Sequence, residues 1–315
     1  MRLFLISLFT LLCLSNTAMA KDHFLIPGGP GGGWDTTARG IGEALMKSGL
    51  SDNASFQNMS GGGGGRAIAY LIEIGDRQGD MLMVNSTPIV IRALTGQVPY
   101  SYHDVKPIAS IIADYGAFIV RADSPLKTWD DAVTELRKNV RSLTIAGGSA
   151  RGSMDHLVAA LAVNAAGLEG SRIRYIPYDA GGQAKAGLLS GEVQMLSTGL
   201  SEALEIADSG QARILAITAP ETIPAYPELP TLKSLGYDTS FVNWRGLFAY
   251  PDVPDEKVQE YIDLYSKLLK TPEWAAVRDR NGWMDLFRTT DDFEADLQAQ
   301  EEQLRELMTE LGFIQ

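Results

Sequence analysis

The chain has 315 residues, 45% of them apolar, and a formal net charge of −12, enough length for one or two domains with cores of their own. The acid excess weighs against nucleic acid and anionic membrane as partners, although a local cluster of donors could still hold a small anion. Cys13 is the single cysteine and lies within the first twenty residues, so the rest of the chain carries no disulfide, thiolate metal site or cysteine nucleophile.

Residues 1–20 read as a cleavable signal peptide. Arg2 supplies the positive start, "LFLISLFTLLCL" the apolar stretch, and Ala18-Met19-Ala20 the small-x-small cleavage site. The apolar run is shorter than the ~20 residues that a membrane span needs. Leu12 before Cys13 argues against a lipid anchor. A soluble periplasmic protein without membrane insertion is expected, with charge −13 once Arg2 is removed.

Beyond the leader, β-rich runs alternate with helical patterns. "DHFLIP" predicts a strand, and Ala38, Ile41 and Leu45 set one face of a helix over 36–48. "ASFQN" is a second strand, followed by a helix over 66–74 with Ile68, Leu71 and Ile72 inward. "MLMVN" is a third strand, then "TPIVIRALTG" a short helix with Pro88 in its first turn. The rhythm restarts at "ASIIADYGAFIVRADSP". Thr128 and Asp131 resemble a capping box for a helix over 129–139. "SLTIA" is a strand, "GGSARGS" a loop, and 154–166 a helix with Leu157, Ala160 and Leu161 inward. "RIRYIPY" is a strand, "DAGGQ" a loop, and "KAGLLSG" a helix ending at Gly191. "VQMLST" and "ARILAIT" close this second sheet. A proline-rich irregular stretch leads to the strand "FVNWRGLFAY", and 255–313 reads as helical.

The pattern predicts an α/β protein of two lobes, each a mostly parallel sheet flanked by helices. Crossings near 112–122 and 240–250 assign 21–117 plus 245–315 to lobe 1 and 118–244 to lobe 2. The cleft between them would be walled by strand-to-helix loops.

Those loops are unusually bare. "PGGPGGGWDTT" and "NMSGGGGGRA" imitate nucleotide motifs but fail them. The Walker lysine is replaced by Arg66 and Ala67, and G-x-G-x-x-G cannot be placed from Gly29, Gly31 or Gly61. What remains is backbone that approaches a ligand closely at helix starts whose free N–H groups favour an anion. Each dipole contributes about 0.3–1 kcal/mol, up to ~2 when partly buried. Hydrogen bonds to a charged group add about 1.5–3 kcal/mol each. Micromolar binding, about −8 kcal/mol, is within reach without metal, cofactor or covalent bond.

No hydrolase elbow exists, because Arg151 stands where G-x-S-x-G needs glycine after Ser149. Ser153 is expected to cap the following helix. The three histidines, His23, His103 and His156, show neither triad order nor metal spacing. His156, in the first turn of its helix, could face the cleft or solvent. Asp35 is wrong for an anion pocket and reads as a cap for a helix starting at Thr36 or a holder of bridging water. Arg245, among apolar residues at the lobe junction, needs a partner: a bound carboxylate in a bidentate fork or an internal salt bridge.

In order, "IPGGPGGGWDTTARGIGEAL", "NMSGGGGGRAIAYL", "VNSTPIVIRALTG", "GGSARGSMDHL", "IPYDAGGQAKAGLLSGEVQ", "YPELPTLKSLG" and "NWRGLFAYPDVP" resemble the solute receptors of tripartite tricarboxylate transporters, the TctC-like or Bug-type periplasmic binding proteins. The resemblance covers essentially 22–315. It implies a Venus-flytrap fold with a di- or tricarboxylate such as citrate held between the lobes by backbone amides and water. By position, lobe 1 would contribute Gly32, Gly33, Trp34, Asp35, Ser60, Gly61, Gly62, Gly63, Ser86 and Thr87. Lobe 2 would contribute Ser149, Arg151, Gly152, Ser153, His156, Tyr178 and Gly181, with Asn243 and Arg245 at the junction. The implied partners are the membrane permease subunits, and a monomer is expected. A receptor feeding a sensor kinase, or an enzyme acting on a carboxylate, would use the same cleft. The enzyme lacks a visible base and nucleophile.

Overall fold

Short apolar runs ended by glycine or proline form the strands, and the amphipathic stretches after them fold back as helices. The computed structural model describes residues 22–77, 81–96 and 98–315; the leader expected at 1–20, Cys13 included, lies outside them. The first run is β1 (Asp22–Ile26), α1 (Gly33–Lys47), β2 (Ala54–Asn58), α2 (Gly65–Ile74), β3 (Met81–Ser86) and α3 (Pro88–Leu94). The long β4 (Lys106–Arg121) follows, then α4 (Trp129–Lys138), β5 (Thr144–Gly147), α5 (Met154–Ala165), β6 (Arg174–Pro177) and α6 (Gly181–Ser190). β7 (Met195–Gly199), α7 (Leu200–Asp208) and β8 (Ala212–Ile217) complete the second half. The chain returns through β9 (Val242–Ala249) to α8 (Asp255–Leu268), α9 (Pro272–Arg280), β10 (Met284–Thr289) and α10 (Thr290–Glu310).

Two sheets share β4. Its first two-thirds pair with β9 and β10, in the order β2-β1-β3-β9-β4-β10. Its last third pairs with β7 and β8, in the order β8-β4-β7-β5-β6. This is the mixed α/β fold of a two-domain periplasmic binding protein. Each sheet is less parallel than expected. Three strands in each (β2-β1-β3 and β7-β5-β6) are parallel because helices cross between them, whereas β4, β8, β9 and β10 pair antiparallel.

Three other expectations change. "LSEALEIAD" is the helix α7, which follows β7 with no intervening loop residue. The tail is interrupted by β10, which pairs with Ala109–Ala113 of β4. Every residue of β9 pairs within the first sheet, so the second passage falls at Phe241, whose N–H donates to the Thr218 carbonyl at 3.0 Å.

One core cluster runs through both halves, from Leu25 and Met83 through Phe118 and Tyr175 to Leu304 and Met308. Separate clusters back the two sheets, one around Trp274 and Trp283, the other around Leu188 and Leu196. The six strand-to-helix turns that matter all leave the carboxyl ends of parallel strands, where ligands of open α/β sheets bind.

Candidate functional site

Those six turns enclose a cavity of about 690 Å³ between the halves. The first half contributes the turns after β1, β2 and β3; the second contributes those after β5, β6 and β7. Tyr115 and Gly116 of β4 and Asn243 and Arg245 of β9 lie where the halves meet.

The glycine run has a geometric cause. Gly61, Gly62, Gly63 and Gly64 are consecutive residues at positive φ, between +55° and +126°, a path that side chains with a Cβ take only at a cost. It brings the start of α2 to the cavity without side chains in the way. At α1, the Cα of Gly33 lies against the Arg245 guanidinium, where a Cβ would overlap it. Gly32, Gly33, Trp34, Ser60, Gly61, Gly62, Gly63 and Ser86 all line the cavity. The Trp34 indole N–H donates to Ser86 Oγ at 2.8 Å, so this hydroxyl already has one protein partner.

Asp35 and Thr87 are not lining residues. Because α1 starts at Gly33, Asp35 sits inside its first turn rather than at the cap. Its carboxylate accepts from Gly31 N–H, Arg39 Nε and Asn58 Nδ2. Burial opposes its charge, but these donors and Arg39 hold its pKa below the usual range. Asp35 thus ties the first loop together from behind. Thr87 is buried ahead of α3, its hydroxyl without a protein partner.

In the second half Ser149, Arg151, Tyr178 and Gly181 line the cavity, while Gly152, Ser153 and His156 do not. Ser153 occupies the N-cap position of α5 without a capping side-chain bond. The capping acceptor is Ser149 Oγ, which takes the Asp155 N–H at 3.0 Å. Ser153 Oγ instead meets Arg92 Nε at 3.4 Å. His156 is buried between Tyr175 and Phe313, with ring centroids 4.5 and 4.7 Å away, and its Nδ1 accepts the Gly152 N–H at 2.9 Å. Burial, then the nearby Arg151, lowers its pKa to about 4. Arg151 donates to the Tyr175 carbonyl at 2.5 Å. The Tyr178 hydroxyl turns toward Gly187 of α6, leaving its ring as wall.

Of the two partners considered for Arg245, the protein supplies the internal one. Its Nη2 donates to Asp114 Oδ2 at 2.9 Å, with both residues buried (5% and 0% exposed). Arg245 Nε and the neighbouring Asn243 Oδ1 have no protein partner.

Sequence reading missed Arg92, Asp155 and Glu202, all of which line the cavity. Arg92, from α3, is 7% exposed, lies 5.4 Å over the Trp34 ring and backs onto Gly63 and Gly64. Among the described residues no carboxylate stands within 4 Å of it. Burial lowers its pKa to about 10, with Asp155 and Tyr175 acting the other way. Its signal was an arginine inside the otherwise apolar "PIVIRAL". Asp155 and Glu202 sit in the first turns of α5 and α7. Burial raises them to about 6 and about 7. Among the described residues no cluster suited to a metal ion occurs, and no helix is long and apolar enough to cross a membrane.

Relatives share this architecture. A protein from the tcbD–tcbE intergenic region of Pseudomonas sp. (strain P51) is 26% identical over 79% of this chain and 74% of its own length. Among solved structures, R. palustris Rpa4515 with adipate superposes at TM-score 0.83, with 22% identity, covering 93% of this chain and 97% of that one. MatC from Rhodopseudomonas palustris with bound malate gives 0.73, with 19% identity, over 92% and 97%. The family model described as the tripartite tricarboxylate transporter family receptor, TctC, matches residues 43–313. This chain therefore belongs to the TctC family of solute-binding receptors.

Proposed function

We propose that the protein is a periplasmic receptor that closes lobe 1 (21–117 plus 245–315) and lobe 2 (118–244) on a small carboxylate and delivers it to a tripartite tricarboxylate transporter permease. The observation that carries this reading is Arg92, a buried guanidinium in the cavity wall with no carboxylate within 4 Å among the described residues. A buried charge without a partner is unfavourable, and a ligand carboxylate would supply the partner in a planar two-point contact. The starts of α1 and α2 add N–H groups and positive dipole ends on the same wall. Trp34 fixes the guanidinium face, and Ser60, Ser86 and Gly61 to Gly63 surround it. Adipate and malate, bound by the two Rhodopseudomonas proteins, belong to the ligand class considered, as does citrate. Ligand binding to both walls would favour the closed arrangement only when the cavity is loaded.

Thermal-shift and calorimetric titration with malate, adipate and citrate tests the reading. Binding of any carboxylate to the native state raises the melting temperature. Arg92→Gln should weaken that binding by roughly ten- to a hundredfold, the loss of charge-assisted hydrogen bonds worth about 1.5–3 kcal/mol. Unchanged affinity in Arg92→Gln would place the carboxylate elsewhere, and no shift with any carboxylate would refute the receptor assignment.

A further inference from the structure

The wall opposite Arg92 has the opposite character. Glu202 is 8% exposed and lines the cavity, and its Oε1 has no hydrogen-bond partner in the protein. Gly181, the first residue of α6, lets that oxygen lie against its Cα; a Cβ there would overlap it. Asp155 lines the same side from α5. The cation nearest this wall, Arg245 of β9, already donates to Asp114 of β4. Lys185 of α6 pairs with Glu205, on the next turn of α7. The carboxylates of Glu202 and Asp155 therefore face the cavity without a dedicated cation, while Arg92 across it lacks a dedicated anion.

A symmetrical dicarboxylate fits one wall and is repelled by the other. Its second carboxylate would stand against Glu202 and Asp155 in a site of low effective dielectric, where like charges interact strongly. A ligand with a carboxylate at one end and a positive nitrogen at the other satisfies both walls and gives Glu202 Oε1 its missing donor.

Resting on the receptor reading above, we propose that the ligand is zwitterionic, its carboxylate held at Arg92 and the first-half helix starts and its cationic nitrogen received by Glu202, with Asp155 beside it. Glu202 is then the residue that decides between such ligands and plain dicarboxylates.

The pH response follows from the groups facing Glu202. Burial, with Asp155 and Asp114 adding to it and Arg245 and Lys185 opposing, raises its proton affinity so that it titrates at about 7. A bound cation favours the ionised form. Capture of the ligand should strengthen as pH rises from 6 to 8 and release a proton on the acid side of that range.

Calorimetric titration of the full-length mature protein with matched pairs tests the proposal: succinate against 4-aminobutanoate, and adipate against 6-aminohexanoate. The amino acid of at least one pair is expected to bind at least tenfold tighter than its dicarboxylate. Glu202→Gln, close in shape, should remove that preference while dicarboxylate affinity holds or rises. Tighter binding of the dicarboxylate in both pairs by the wild-type protein, or a preference undiminished in Glu202→Gln, overturns the inference and leaves the receptor reading standing. If no ligand of either kind binds, the receptor reading falls and this inference with it.

Discussion

Arg245 shows how far a single residue can be read from its neighbours. An arginine in "VNWRGLFA" demands compensation, and that much is local knowledge. Its partner Asp114 lies 131 positions earlier, in the middle of an equally apolar strand, so the pairing exists only once β4 and β9 are adjacent. The same holds for Arg92, whose place in the cavity depends on α3 lying against the glycine run, and for Glu202, whose helix was not read. The pair makes a stability prediction. Asp114 is fully buried, accepting Ser201 Oγ as well as Arg245. Breaking a buried pair from one side strands a charge and costs about 3–5 kcal/mol. Arg245→Met should lose about that much in urea unfolding, and Arg245→Met with Asp114→Leu should recover most of it. A single variant within about 1 kcal/mol of wild type would mean that the pair does not hold the junction. Affinity lost in an Arg245 variant has to be judged against this structural cost.

At the level of elements, legibility followed locality. The capping box of α4 was visible because Thr128 and Asp131 are three residues apart, and both of its hydrogen bonds form. The glycine loops announced themselves by composition, although only the backbone path explains why four in succession are used. β10 escaped because "MDLFRT" is a strand only by virtue of β4 beside it, and α7 because it begins directly where β7 stops. The glycine path can be separated from ordinary turns by experiment. Gly63 has φ +63°, and a Cβ there would come 3.0 Å from Arg92 Cδ. Gly49 has φ +71° with no atom within 4 Å of its Cβ position. Alanine at either should cost about 1–2 kcal/mol of stability, the left-handed penalty. Only Gly63→Ala should also weaken carboxylate binding, because only there must the guanidinium move. Equal affinities for the two variants would show that the loop does not position Arg92.

Across the whole molecule, two-lobed organisation was legible in the restarted βα rhythm, but the contact between distant ends was not. After α10, which packs on β4, α3 and β10, the chain places Phe313 on the His156 ring of α5, and Tyr175 covers the ring's other side. The C-terminus thus reaches from the first half onto the helix that carries Asp155 and begins beside the cavity. The burial that Phe313 helps create is what depresses the His156 pKa to about 4, against about 6.5 in an unfolded chain. The unfolded state then binds more protons than the native state between these values. That contribution to stability is full above about pH 6.5 and is lost as pH falls through 4. Phe313→Ala opens the ring to water, so the His156 pKa should rise toward its unfolded value, readable by proton NMR of the imidazole. At pH 8, where His156 is neutral in both states, the variant should be less stable by the lost packing of a half-buried aromatic ring, about 1–2 kcal/mol. Toward pH 4.5 the gap should narrow, because the variant no longer has to keep the imidazole neutral against the acid. A gap that stays constant across that range would mean that α5 and Tyr175 alone keep His156 dry, and that the C-terminal residues only rest on the second half.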